Sequence, residues 1–227
     1  MNSKDTLRRI EEVGVVLVVR AGSADEALNG IKAVVEGGLK AVEVTFSVPG
    51  APSVIREVKR VLGDQVILGA GTVLNPEDAE DAVDAGATYL VAPNTDEKVI
   101  GSAKRLGVAV FPGAFTPSEI ARAWDLGADV VKVFPASLGG PAYIRALKAP
   151  LPHIRLMPTG GVDERNAGDF IKAGAFALGA GGALFDQKKL RAKDWKGMTE
   201  TAARFMAAVR AARGDTLMLP GQGEPRH

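Results

Sequence analysis

Two charged residues interrupt otherwise apolar runs of this chain. Glu43 lies in Ala41-Val42-Glu43-Val44-Thr45, and Lys132 lies in Val130-Val131-Lys132-Val133-Phe134. Side chains alternate along a strand, so Glu43 shares a face with Thr45, and Lys132 with Phe134. A free lysine has a pKa near ~10.4, which leaves about 0.04% of it neutral at pH 7. Desolvation lowers that pKa and exposes the amine lone pair, so a buried lysine is the usual nucleophile toward ketones and aldehydes. A buried structural ion pair is the competing reading. Burial of a charge is costly unless compensated, however, and two such placements call for a reason.

Other segments offer binding chemistry. Thr159-Gly160-Gly161 and Gly179-Ala180-Gly181-Gly182 are glycine-rich. Without a Cβ, an anion can approach backbone N–H groups closely there, although tight turns also use glycine. Thr72, after Gly69-Ala70-Gly71, can donate its hydroxyl into a pocket or cap a turn. Arg20 can clamp a carboxylate with its planar fork or stand solvated in a loop. Pro93-Asn94 and Pro112-Gly113 read as turn chemistry. The chain has no cysteine, which excludes disulfides, thiolate nucleophiles and cysteine-bound metal. Its two histidines are His153 and the last residue, His227, so a histidine-rich metal site is excluded. A Ser-His-Asp triad would have to use His153, which precedes an apolar run and reads as structural. No metal and no cofactor are expected.

The elements that must position these residues repeat. Eight short runs are rich in Val, Ile, Leu and Ala: Val15–Val19, Ala41–Thr45, Val66–Gly69, Tyr89–Ala92, Val108–Phe111, Val130–Phe134, Ile154–Pro158 and Ala175–Gly179. Near-continuous apolarity marks parallel strands covered on both faces. Helical patterns lie between the runs. Ser23-Ala24-Asp25-Glu26 and Thr116-Pro117-Ser118-Glu119 read as capping boxes, and Asn75-Pro76-Glu77-Asp78 opens a further helix. Gly37, Gly63, Gly86, Gly107, Gly127 and Gly174 fall where helices should stop in a left-handed residue. Eight strand–helix units predict a single-domain α/β fold, a (β/α)8 TIM barrel over residues 1–213. The rival is an open doubly wound sheet, but Val19-Arg20-Ala21-Gly22 lacks the GxGxxG turn usual there. In a barrel, Glu43 and Lys132 approach the axis near the C-terminal ends of the second and sixth strands, where barrel enzymes keep their active sites. The loops after the seventh and eighth strands are common phosphate sites. Residues 214–227, rich in Gly and Pro, are expected to form a disordered tail. The net charge of +1 suggests neither a nucleic-acid nor a membrane partner. No signal peptide or membrane span is evident, so the cytoplasm is the expected location.

Taken together, the motifs resemble the 2-keto-3-deoxy-6-phosphogluconate (KDPG) aldolase and 4-hydroxy-2-oxoglutarate (KHG) aldolase family. The resemblance rests on the strand around Glu43, Gly69-Ala70-Gly71-Thr72-Val73-Leu74-Asn75-Pro76, Val131-Lys132-Val133-Phe134-Pro135 and Pro158-Thr159-Gly160-Gly161-Val162. It covers roughly residues 10–213. It implies a class I aldolase without metal, with Lys132 as Schiff-base lysine and Glu43 as general acid/base. It further implies Thr72 at the pyruvate moiety, Phe134 and Pro93 as pocket walls, and Thr159, Gly160 and Gly161 at the phosphate end. A homotrimer is implied too.

The expected reaction is reversible cleavage of KDPG to pyruvate and glyceraldehyde 3-phosphate. The alternatives are a KHG aldolase, an aldolase for unphosphorylated or galactonate-type 2-keto-3-deoxy acids, or a phosphosugar isomerase or epimerase barrel. A non-enzymatic binding barrel is disfavoured, because both Lys132 and Glu43 are present. Two departures stand out. The segment Thr45-Phe46-Ser47-Val48-Pro49 lacks the arginine that some members carry after the glutamate, and Arg20 looks like its substitute. Gly182 stands where many members have a serine on the phosphate, with Gly181 beside it.

Overall fold

The computed structural model describes residues 2–214; the tail expected over residues 214–227 therefore lies outside the described residues save for Gly214. Five β-strands open the chain's repeat: β1 (Val15–Val19), β2 (Ala41–Thr45), β3 (Ile67–Gly71), β4 (Tyr89–Val91) and β5 (Ala109–Phe111). Four more follow: β6 (Gly113–Ala114), β7 (Val131–Val133), β8 (Leu156–Pro158) and β9 (Leu178–Ala180). Every recorded pairing is parallel. The result is a TIM-barrel-like α/β fold.

In place of one eight-stranded ladder, the strands form a six-stranded sheet, β5-β4-β3-β2-β1-β9, and a three-stranded sheet, β6-β7-β8. The division falls at Pro112, which follows the fifth predicted run (Val108–Phe111) and separates β5 from β6; proline has no N–H to donate to a ladder. Gly113 is consequently strand rather than turn, paired with Lys132. On the other side, a single parallel bridge, Thr159↔Gly179, and a bond from the Phe176 N–H to the Leu156 carbonyl (2.9 Å) join β8 to β9.

The helices on the outside include α2 (Ala24–Glu36), α3 (Ala51–Leu62), α4 (Pro76–Asp84), α5 (Glu97–Leu106) and α6 (Pro117–Asp125). After them come α7 (Gly140–Lys148), α8 (Ala167–Lys172), α9 (Gln187–Arg191) and α10 (Trp195–Arg213). The Thr116 capping box is complete. At Ser23 only half of it forms: the hydroxyl accepts from the Glu26 N–H (3.2 Å), while the Glu26 carboxylate accepts from Gly22 (3.1 Å). Five of the six glycines expected at helix ends have positive φ. Gly37 does not (φ −72°); Gly38 takes the left-handed turn instead. Residue 37 must be small for another reason, since a Cβ there would lie 2.5 Å from the Ala202 Cβ and from the Thr199 carbonyl oxygen on α10.

A helix that the periodic pattern missed, α1 (Ser3–Val13), is capped by Asn2, which accepts from the Asp5 N–H (2.9 Å). Its Ile10 is fully buried with Val16, Ala41, Ile67, Tyr89, Val91 and Phe111. This cluster and the larger one between strands and helices make up the core. Among the described residues, no helix is long and apolar enough to cross a membrane.

Candidate active site

Strand register brings Glu43 and Lys132 inward. Glu43 pairs with Val18 of β1 and Gly69 of β3, and Lys132 pairs with Gly113 of β6 and Met157 of β8. Glu43 is 1% exposed and Lys132 4%. Neither carboxylate oxygen of Glu43 has a hydrogen-bond partner. The Lys132 Nζ lies 5.2 Å from the centre of the Phe134 ring. Burial dominates both titrations. It pushes the Glu43 carboxyl above the usual carboxylate range, against the pull of Lys132 and then Arg20. It pulls the Lys132 amine below the usual lysine value, against Glu43 and helped by Arg20. Both shifts favour the neutral forms, an amine with a free lone pair beside a carboxyl that can give up a proton.

Space for Glu43 comes from a neighbouring strand. β3 runs on through Ala70 and Gly71, two residues beyond the expected end of the third run at Gly69. A Cβ at residue 71 would overlap the Glu43 Oε1, and one at residue 69 would overlap the Tyr89 ring. Thr72 follows at φ 57°, a left-handed conformation worth roughly 1–3 kcal/mol of strain in a non-glycine residue and frequent at ligand sites.

A cavity of about 690 Å³ is reached through their neighbours, Phe134 against the Lys132 amine and Val18 paired with Glu43, although neither Glu43 nor Lys132 itself lines it. It is lined by Arg20, Phe134, Thr159, Gly160, Gly161, Gly181 and Gly182, seven of the residues expected from the sequence. Phe134 joins it to a second cavity of about 350 Å³, which Pro93 lines. Thr72 lines neither cavity. Gly160 (φ 94°) and Gly161 (φ 73°) need the left-handed conformation, which turns the chain sharply after β8. Thr159 is not free in a loop: it continues the β8 ladder, its N–H on the Val133 carbonyl (3.0 Å) and its carbonyl accepting from Ala136 (2.8 Å). Gly182 has open space around it.

Three polar residues that no motif marks, Ser47, Gln187 and Asp163, also line the larger cavity. Ser47 exchanges a hydrogen bond with Thr45 (2.6 Å), whose hydroxyl also donates to the Val19 carbonyl (2.8 Å). Gln187 donates to the Arg20 carbonyl (2.8 Å) across 167 residues of chain and so ties the β1 and β9 loops together. Asp163 accepts from Arg165 and caps the following turn. No spacing in the sequence links Gln187 to Arg20. His153 stands apart from the site, edge-on to Trp124 at 6.2 Å. No group of three metal-ligating side chains exists among the described residues.

The profile of the aldolase family described as KDPG and KHG aldolase matches residues 7–201. The chain is 35% identical over 200 residues to the 2-dehydro-3-deoxy-6-phosphogalactonate aldolase of Escherichia coli K12, covering 88% of this chain and 94% of that one. It is 34% identical over 202 residues to the 2-dehydro-3-deoxy-phosphogluconate aldolase of Treponema pallidum, covering 88% and 95%. A solved structure described as native KDPGal superposes with a TM-score of 0.82 at 34% identity, over 88% of this chain and 96% of that one.

Proposed function

The chain belongs to the KDPG and KHG aldolase family and is a carbon–carbon lyase, and from that premise we propose that it is a class I aldolase that cleaves KDPG reversibly to pyruvate and glyceraldehyde 3-phosphate. The observation that carries the reading is the pair of buried ionisable groups, Lys132 and Glu43, with Phe134 between the Lys132 amine and the glycine-lined cavity.

Neutral Lys132 adds to the C2 carbonyl, and loss of water from the carbinolamine leaves an iminium ion. Glu43 supplies the proton for that water and then, ionised, removes the proton of the C4 hydroxyl. The C3–C4 bond breaks, its electron pair becomes the C2–C3 double bond while the C=N pair passes to the Lys132 nitrogen, and glyceraldehyde 3-phosphate departs. The enamine left on Lys132 takes a proton at C3, and hydrolysis releases pyruvate and the free amine. In this reading Arg20 holds the substrate carboxylate, Phe134 and Pro93 wall the pocket, and Thr72 meets the pyruvate moiety. The N–H groups of Gly160, Gly161, Gly181 and Gly182 receive the phosphate, with Thr159 beside them. The reading includes a closed (β/α)8 ring, a cytoplasmic location and assembly as a homotrimer, the last checked by sedimentation.

The 35% identity to a phosphogalactonate aldolase favours, as a second reading, activity on the C4 epimer. Comparing kcat/KM for the two epimers separates the readings. The mechanism is tested by incubation with pyruvate and borohydride followed by peptide mapping. One reduced pyruvate adduct on Lys132 is expected; an adduct on another lysine, or none, rules the assignment out.

A further inference from the structure

Beneath Glu43 sits a second polar group with no partner. The Tyr89 hydroxyl is buried and makes no hydrogen bond, and the whole residue is 0% exposed. Its ring stacks on Phe111 with centroids 5.4 Å apart, among Val16, Ile67, Val91 and Met157. Phenylalanine would fill the same space without burying a hydroxyl, and an unsatisfied buried hydroxyl is costly.

The location of that hydroxyl follows from β3. Residues 69 and 71 are two apart and present the same face. A Cβ at 69 would collide with Tyr89 at Cζ, the ring atom bearing the hydroxyl, and a Cβ at 71 would collide with the Glu43 carboxylate. The phenol and the carboxylate thus occupy adjacent inward stations of one strand, about 6.6 Å apart along it. The two groups are close enough for the Glu43 charge to act on the phenol, and a bridging water can join groups so placed.

We propose that Tyr89 is a positioning residue for Glu43: its O–H donates to the carboxylate, directly or through one water, and holds it ionised for the proton transfers. The proposal rests on the reading of Glu43 as the proton shuttle. The charged groups facing Glu43 are Lys132 from β7 and Arg20 after β1, and both favour its ionised form. Burial holds the phenol well above the usual tyrosine range, with Glu43 adding to the shift, so Tyr89 stays a neutral donor throughout the working pH range. A hydrogen bond to the charged form of an acid lowers its pKa. Tyr89 therefore opposes the rise that burial imposes on Glu43.

The test is the titration of the Glu43 carboxyl by infrared difference spectroscopy, assigned by its disappearance in Glu43→Gln. The acid limb of kcat against pH for KDPG cleavage is followed in parallel. In Tyr89→Phe the Glu43 midpoint and the acid limb should both rise, by about one pH unit if one charge-assisted hydrogen bond is lost. The chain has two tyrosines, Tyr89 and Tyr143. In a Tyr143→Phe background, 3-fluorotyrosine labels position 89 alone, and its more acidic phenol should move the midpoint the opposite way. That second arm retains the ring and its packing if Tyr89→Phe folds poorly. An unmoved midpoint in both variants, whatever happens to melting temperature, overturns the role of Tyr89. A moved midpoint combined with near-wild-type cleavage by Glu43→Gln sinks instead the reading of Glu43 as proton shuttle.

Discussion

The carboxylate of Glu43 fills the space in which residue 71 would carry its Cβ, so the acid on β2 is accommodated only because β3 has glycine at that station. Gly71→Ala should push the carboxylate off its position while leaving Lys132 untouched. Imine formation with pyruvate should persist. Cleavage should fall toward the level of a Glu43 variant, a loss on the order of 10²–10⁴ if general acid–base catalysis is removed. Overpacking should also lower stability by about 1–3 kcal/mol. Unimpaired cleavage by the alanine variant would show that the carboxylate need not sit there.

Glu43→Gln should retain the fold, still form the imine slowly, and lose a factor on the order of 10²–10⁴ in cleavage rate. It should also alter stability with a definite sign. Burial raises the Glu43 carboxyl above its ordinary value of 4.5, so the folded state holds that proton more tightly than the unfolded state. The associated stabilisation is fully present below 4.5 and is lost as pH rises through the folded value. Measured by denaturant titration, the stability of Glu43→Gln relative to wild type should therefore grow with pH across that window. A flat difference would mean that the carboxylate is solvated.

Gly182 has open space around it and sits in the wall of the larger cavity. The absence of a hydroxyl there should weaken phosphate binding by roughly tenfold, since one hydrogen bond to a charged group contributes about 1.5–3 kcal/mol and a replacing water restores part of it. The enzyme should still prefer phosphorylated substrate, by a modest margin, and Gly182→Ser should widen that margin in kcat/KM. Equal rates with and without phosphate in both proteins would move first place to the 4-hydroxy-2-oxoglutarate reading.

Gly37→Ala tests packing rather than chemistry. The added methyl meets the Ala202 Cβ and the Thr199 carbonyl at 2.5 Å, where α2 lies against α10. Backbone cannot yield cheaply, so a loss of about 1–3 kcal/mol is expected by denaturant titration, with kcat/KM unchanged. The Thr199 hydroxyl donates to the Ala33 carbonyl (2.8 Å) across the same contact, and Thr199→Val should add to the loss.

Much of this molecule is legible in one dimension because burial on both faces of a parallel strand demands an unbroken apolar run. Val15–Val19 and Ala41–Thr45 are legible to the residue for that reason. The same demand exposes Glu43 and Lys132, since a charge inside such a run has no local justification. Other features depend on neighbours remote in sequence. Pro112 splits a strand because the ladder beside it needs an N–H that proline lacks. The third strand runs on through Gly71, two residues past the expected end at Gly69, and Tyr89 and Glu43 from the flanking strands occupy the space that side chains at 69 and 71 would need. Gly37 is small on account of α10, and Gln187 meets Arg20 only when the strands stand side by side. The sequence by itself determined which residues must be buried and which charges are out of place. Tertiary structure decided which groups share a space, because steric exclusion and hydrogen bonding act between atoms in contact, whatever their separation along the chain.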